Sequence, residues 1–81
     1  MPYINQSAKE RLIDPCQKPH TPGELNYLIT RLLLEYLGSD ITYSRLNELV
    51  GVLECCKAEF IERRLRPYER HKALVNGDVY S

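Results

Sequence analysis

From Thr21 to Leu37 the chain reads TPGELNYLITRLLLEYL, and no other stretch constrains the fold as strongly. Thr21 offers a capping hydroxyl, Pro22 suits a first helical position that needs no N–H, and Glu24 stands where a capping box closes. Leu25, Leu28, Ile29, Leu32, Leu33, Tyr36 and Leu37 then recur at the three- and four-residue spacing of one buried helix face. Gly38 follows as a left-handed stop. At about 1.5 Å per residue the helix is roughly 24 Å long. Tyr27, Arg31 and Leu34 fall on the opposite side, where Tyr27 and Leu34 form a candidate contact surface. The competing reading of that pair is ordinary scattered surface apolars.

The turn Gly38 to Ile41 is short, so the next helix is expected to return antiparallel, capped by Asp40 or Thr42. It spans 42–66, with an inward stripe of Tyr43, Leu46, Leu49, Val50, Leu53, Cys56, Phe60 and Ile61. Opposite lies a row of small residues, Ser44, Gly51, Cys55 and Ala58, on which another helix can pack closely. A mid-helix glycine costs about 1 kcal/mol relative to alanine, so Gly51 invites that explanation. Pro67 is expected to kink or break the helix near Arg63 to Arg66. A last helical piece runs from Pro67 through Val75, stopped at Asn76-Gly77, and the tail from Asp78 either frays or docks through Val79 and Tyr80.

Ahead of the first long helix, Met1 to Ile4 reads as an extended arm, and Ser7-x-x-Glu10 opens a short helix through Ile13. Asp14-Pro15 ends it, and Pro15, Pro19 and Pro22 enforce a loop. Tyr3, Ile4, Leu12 and Ile13 are expected to cover the end of the helical pair. The architecture is then one all-α domain: arm and loop 1–20, helix 21–37, long helix 42–66, and a kinked C-terminal segment and tail 67–81. The two long helices form an antiparallel hairpin. The second outruns the first and leaves Phe60, Ile61 and Leu65 to be covered, which together with the small-residue row favours a homo-oligomer.

Lysine and arginine total 11 and aspartate and glutamate 11, so net charge supplies no reason to expect nucleic acid or a lipid surface as partner. No run is long enough to span a membrane and the start lacks a signal peptide's apolar core, so a soluble cytoplasmic protein is expected. Three cysteines, two adjacent, make a poor disulfide framework.

The wheel places Lys57 and Arg64 within the apolar stripe of the long helix. Either they snorkel to water or they hold an anion, Lys57 as a point charge and Arg64 as a planar fork. Arg63 to Lys72 contains five Lys or Arg against Glu69 alone, and Tyr68 or Tyr80 can stack on a base. The candidate ligand residues are therefore Lys57, Arg63, Arg64, Tyr68 and Tyr80. Cys16, His20, Cys55, Cys56 and His71 lack the paired spacing of structural zinc, and Cys56 reads as core. Glu48, Glu54, Glu59 and Glu62 suggest a metal-dependent nucleotide hydrolase, but helical salt bridges such as Glu59 with Arg63 account for them more simply. No phosphate loop, HExxH or GxSxG occurs, and no cofactor is expected.

The opening MPYI, then GELNY and ITRL over Gly23 to Leu32, GVLE at Gly51 to Glu54, PYE at Pro67 to Glu69 and the ending NGDVY are similar to a small family of uncharacterised bacterial and bacteriophage proteins. The resemblance covers nearly the whole chain. The family brings no activity of its own, and by analogy small phage proteins of this size inhibit host factors or sequester nucleotide signals. Taken with the basic end of the long helix, the expected function is a non-enzymatic protein, in the host cytoplasm if phage-encoded, that sequesters a small anionic ligand such as a nucleotide signal. The alternatives are an interaction module that occupies a host protein and the helical hydrolase. The resemblance also draws attention to Asn26, a polar amide beside an apolar face, and to the tail Asn76 to Tyr80 as part of a pocket or subunit contact.

Overall fold

A computed structural model describes residues 1–80. Its elements are α1 (Gln6–Arg11), α2 (Pro22–Leu37), α3 (Tyr43–Phe60), a single π-helical turn (Ile61–Leu65) and α4 (Arg66–Asn76). No strand occurs among the described residues. The chain divides into two compact units, Met1–Thr42 and Tyr43–Ser81.

In the first unit Asn5, and not Ser7, caps α1: its Oδ1 accepts the Ala8 N–H at 2.8 Å. The helix ends at Arg11, short of Ile13, because the Ile13 and Asp14 amides bond carbonyls three residues back, Glu10 and Arg11. Asp14 then turns the chain, with Oδ1 accepting the Cys16 N–H at 2.9 Å and its carbonyl accepting the Gln17 N–H at 3.0 Å. At the start of α2 the Thr21 hydroxyl accepts the Glu24 N–H at 3.1 Å, while the Glu24 carboxylate reaches past Thr21 to the His20 N–H at 3.0 Å. Gly38 ends α2 at φ 64°, its N–H on the Leu34 carbonyl.

The covered side of α2 is not the one its periodicity suggests. The arm crosses at Gly23, where an added Cβ would stand 3.2 Å from the Met1 carbonyl oxygen and 3.7 Å from Ile4 Cγ2. One turn on, Tyr27 is half-buried with the Lys9 ammonium 6.0 Å from its ring centre, and Leu37 is buried on the same side of the wheel. Leu25, Ile29, Leu32 and Tyr36, expected in the core, are 50%, 42%, 69% and 68% exposed. Leu28 and Leu33 are half-buried. The physical reason lies in glycine and charge: only Gly23 lets a backbone approach α2 closely, and the Arg11–Glu24 ion pair ties the end of α1 to the helix start. Ile4 and Leu12 supply the arm's cover, whereas Tyr3 and Ile13, expected beside them, stay exposed. Beside Asn26 the Thr30 hydroxyl donates to the Asn26 backbone carbonyl at 2.8 Å, with the Asn26 Oδ1 3.2 Å from the same hydroxyl.

The second unit is one helical run from Tyr43 to Asn76 followed by a short tail. Pro67 does not break it. An α-helix would set the proline ring against the Arg63 carbonyl and leave that carbonyl without a donor. Here the turn before the proline widens, so that the Arg66 N–H donates to the Ile61 carbonyl five residues back. The extra residue in that turn rotates α4 by about 100° relative to a regular helix. Leu65 therefore takes the place on the stripe that the regular wheel gives Arg64, and Lys57 and Arg64 are no longer on one line. Cys56 and Phe60, read as core, are exposed, as is Cys55, and nothing lies within 4 Å of a Cβ built at Gly51. Gly77 stops α4 at φ 90°, donating to the Ala73 carbonyl at 2.9 Å. No helix among the described residues is long and apolar enough to cross a membrane.

Candidate functional site

The predicted basic end of the long helix divides into two places. Lys57 lines a shallow groove of about 350 Å³ with Glu54, Ala58, Ile61, Glu62 and Arg66. Two cations there meet two carboxylates, and Arg66 Nε already lies 3.5 Å from Glu62 Oε2. Arg63 stands 4.0 Å from Glu59. Both are helical pairs at four-residue spacing on an exposed surface, worth a few tenths of a kcal/mol at most. An anion entering the Lys57 groove would have to compete with Glu54 and Glu62.

The second place lies between α4 and the tail. Tyr68, Arg70, Lys72, Asn76, Val79 and Tyr80 line a concavity of about 490 Å³, within the range of small-molecule sites. Its shape comes from the Gly77 stop: the tail turns away from the helix and is held by the Asp78 carboxylate, which accepts the Tyr80 N–H at 2.8 Å. Tyr80 itself is 97% exposed, so the tail is ordered by its own turn and not by docking its side chains. The Lys72 ammonium lies 5.6 Å from the centre of the Tyr68 ring. Arg64, Tyr68 and Lys72 succeed one another at four-residue intervals along one side of the helix. Among the described residues no carboxylate is within ion-pair distance of Arg64, Arg70 or Lys72. The acids of this concavity are Glu69 and Asp78, the latter engaged with the tail backbone.

Of the five expected ligand residues, the structure thus brings Tyr68 and Tyr80 to one wall, places Arg64 one helical step from Tyr68, and sets Lys57 and Arg63 in separate surroundings. Lys72 is the residue that sequence reasoning merges into general basic character. Its signal is the four-residue spacing from Tyr68. Of the expected contact residues, Ser44, Gly51, Cys55, Ala58 and Leu34 are exposed and Tyr27 is half-buried.

The first unit holds a polar cluster that no sequence motif announces. Arg11 pairs with the Glu24 carboxylate, donates to the Lys18 carbonyl at 2.7 Å and sits 3.3 Å from His20 Nε2. One guanidinium fork fastens α1, the proline loop and the start of α2, which is what a planar five-donor group does best. Elsewhere, Arg31 donates to Glu35 at 3.0 Å, and that bond, followed by Tyr27, raises a guanidinium pKa that is already high. Its charge is therefore fixed at any working pH. Among the described residues no three His, Cys, Asp or Glu converge as a metal site.

Comparison with known families gives a match to a family described as a domain of unknown function (DUF6899), over residues 1–79. The chain belongs to this family. Neither the curated proteins nor the solved structures give a match. The DUF6899 match spans both units, and so takes in the Arg11 cluster and most of the α4 concavity alike.

Proposed function

We propose that this DUF6899 protein binds a small anionic ligand with a planar part, without catalysis, in the concavity between α4 and the tail. The observation that carries the reading is Lys72 over the face of Tyr68, in a wall shared with Tyr80 and extended by Arg64. The polarity of the site comes from the helix. The last carbonyls of α4 make the Gly77 end negative, so the ligand's charge belongs towards Arg64 and Lys72 and its ring between Tyr68 and Tyr80. A nucleotide has both parts, and stacking on one tyrosine contributes about 1–3 kcal/mol per base.

Thermal melting against inorganic phosphate and a panel of linear and cyclic nucleotides tests this. A true ligand at a hundredfold excess over its Kd stabilises the fold by about 2.7 kcal/mol. Tyr68→Ala or Lys72→Ala should weaken binding about tenfold or more, with the Lys72 effect shrinking as salt rises. Lys57→Ala should leave the shift intact. If no compound moves the wild-type melt, or Lys57→Ala abolishes a shift that Tyr68→Ala preserves, the ligand site is not the α4 concavity.

A further inference from the structure

The open side of α2 has a symmetry that points to its occupant. Sorted into apolar and polar, the twelve residues from Leu25 to Tyr36 read the same in both directions. Reversal exchanges Leu25 with Tyr36, Leu28 with Leu33, and Ile29 with Leu32, while Asn26 exchanges with Glu35 and Thr30 with Arg31. The exposed members, Leu25, Ile29, Leu32 and Tyr36, step by four, three and four residues, the spacing of a knobs-into-holes seam. A two-fold contact sets residue i of one chain on residue j of its partner and j on i, and this pattern puts apolar on apolar in every such pair along the seam. The other side of α2 is already occupied by the arm and α1 at Gly23 and Tyr27.

We infer that α2 pairs antiparallel with α2 of a second copy of this chain, across the Leu25–Ile29–Leu32–Tyr36 seam. The two-fold axis passes between Thr30 and Arg31, and each Ile29 packs on the partner chain's copy of Leu32. Asn26 and Glu35 fall on opposite flanks of the seam, where Glu35 stays paired with Arg31 of its own chain at 3.0 Å. The small-residue row of α3 takes no part. Four partly exposed side chains from each copy make a seam below the roughly 1,200 Å² at which stable specific interfaces begin, so the association is reversible and concentration-dependent.

Sedimentation equilibrium over a broad concentration series reads the mass. The wild type should move from one towards two chain masses as concentration rises. Ile29→Lys and Leu32→Glu should each weaken association at least tenfold while keeping wild-type helicity by circular dichroism. Leu34→Lys, on the other side of α2, should leave it unchanged. Mixing the Ile29→Lys chain with the Leu32→Glu chain should restore the two-chain species, because only the antiparallel register sets Lys against Glu and leaves the other Leu–Ile contact whole. A wild type that stays at one chain mass into the millimolar range overturns the inference, the seam then being covered within its own chain. So does a species above two chains, or a mixture that fails to rescue two folded variants. None of these outcomes depends on ligand binding at α4.

Discussion

Replacing Arg11 by alanine should lower the stability of the fold by about 2–3 kcal/mol, the largest loss expected from any single substitution outside the apolar residues. Arg11 serves three partners at once: the Glu24 carboxylate, the Lys18 carbonyl and His20 Nε2. Its removal leaves the Glu24 side chain, only 13% exposed, with the His20 N–H as its remaining partner. Breaking a fully buried charge pair costs about 3–5 kcal/mol, and partial access of water to this pair reduces that figure. For a chain of this length each kcal/mol moves Tm by about 4–8 °C, so the melt should fall by roughly 10–20 °C. Arg11→Lys restores the charge but not the fork, and should recover only part of the loss. Glu24→Gln keeps the acceptor for both the His20 N–H and Arg11 and should be milder than Arg11→Ala. A melt of Arg11→Ala within a degree or two of wild type would show that the proline loop is held by its backbone turns alone.

Pro67→Ala should act in the opposite direction. Proline inside a helix costs up to about 3 kcal/mol, because it lacks a donor and crowds the carbonyl four residues back. In this chain the wide turn, where the Arg66 N–H reaches back to the Ile61 carbonyl, departs from the regular geometry that sets the ring against the Arg63 carbonyl, and so absorbs part of that cost. Alanine at position 67 can donate to the Arg63 carbonyl, which removes the reason for the wide turn. The run from Tyr43 to Asn76 should then become regular, with higher helicity, slower amide exchange over 61–67 and a higher melt. Lys57 and Arg64 would return to one line, as the unbroken wheel has them, while the four-residue row of Arg64, Tyr68 and Lys72 persists. Ligand binding that depends on Tyr68 and Lys72 should therefore survive the substitution. Unchanged exchange over 61–67 would mean that side chains other than Pro67 impose the π-turn.

What is legible in the sequence is what is decided within a few residues. The Thr21 cap, the Gly38 and Gly77 stops and the helical periods all depend on local geometry, and the structure shows each of them. The Ser7 cap fails because Asn5, two residues earlier, is an equally good acceptor and starts the helix sooner. Pro67 tells where regular hydrogen bonding must fail but not how, since breaking and widening both leave the regular geometry that the ring obstructs. The side of α2 that is covered depends on Gly23 meeting an arm twenty residues away, which periodicity cannot see. The Arg11 cluster escapes for the same reason: two of its three partners bond through a loop that no pattern describes. At the candidate site, the chemistry of Tyr68 and Tyr80 singles them out, and the structure lines one wall with both. A regular wheel sets Lys57 beside Arg64, and the π-turn displaces that alignment.

The wide turn at Ile61–Leu65 also fixes how the chain can change in length. It already holds one residue more than a regular helix uses over the same rise. Deleting Arg63 from the regular helix of the Pro67→Ala chain would thus return Leu65, Tyr68 and Lys72 to the faces they occupy now. Adding a residue there would require a second wide turn or would carry Tyr68 round to another side. Between Phe60 and Pro67 the helix can lose one residue and keep its surfaces aligned, but it cannot gain one.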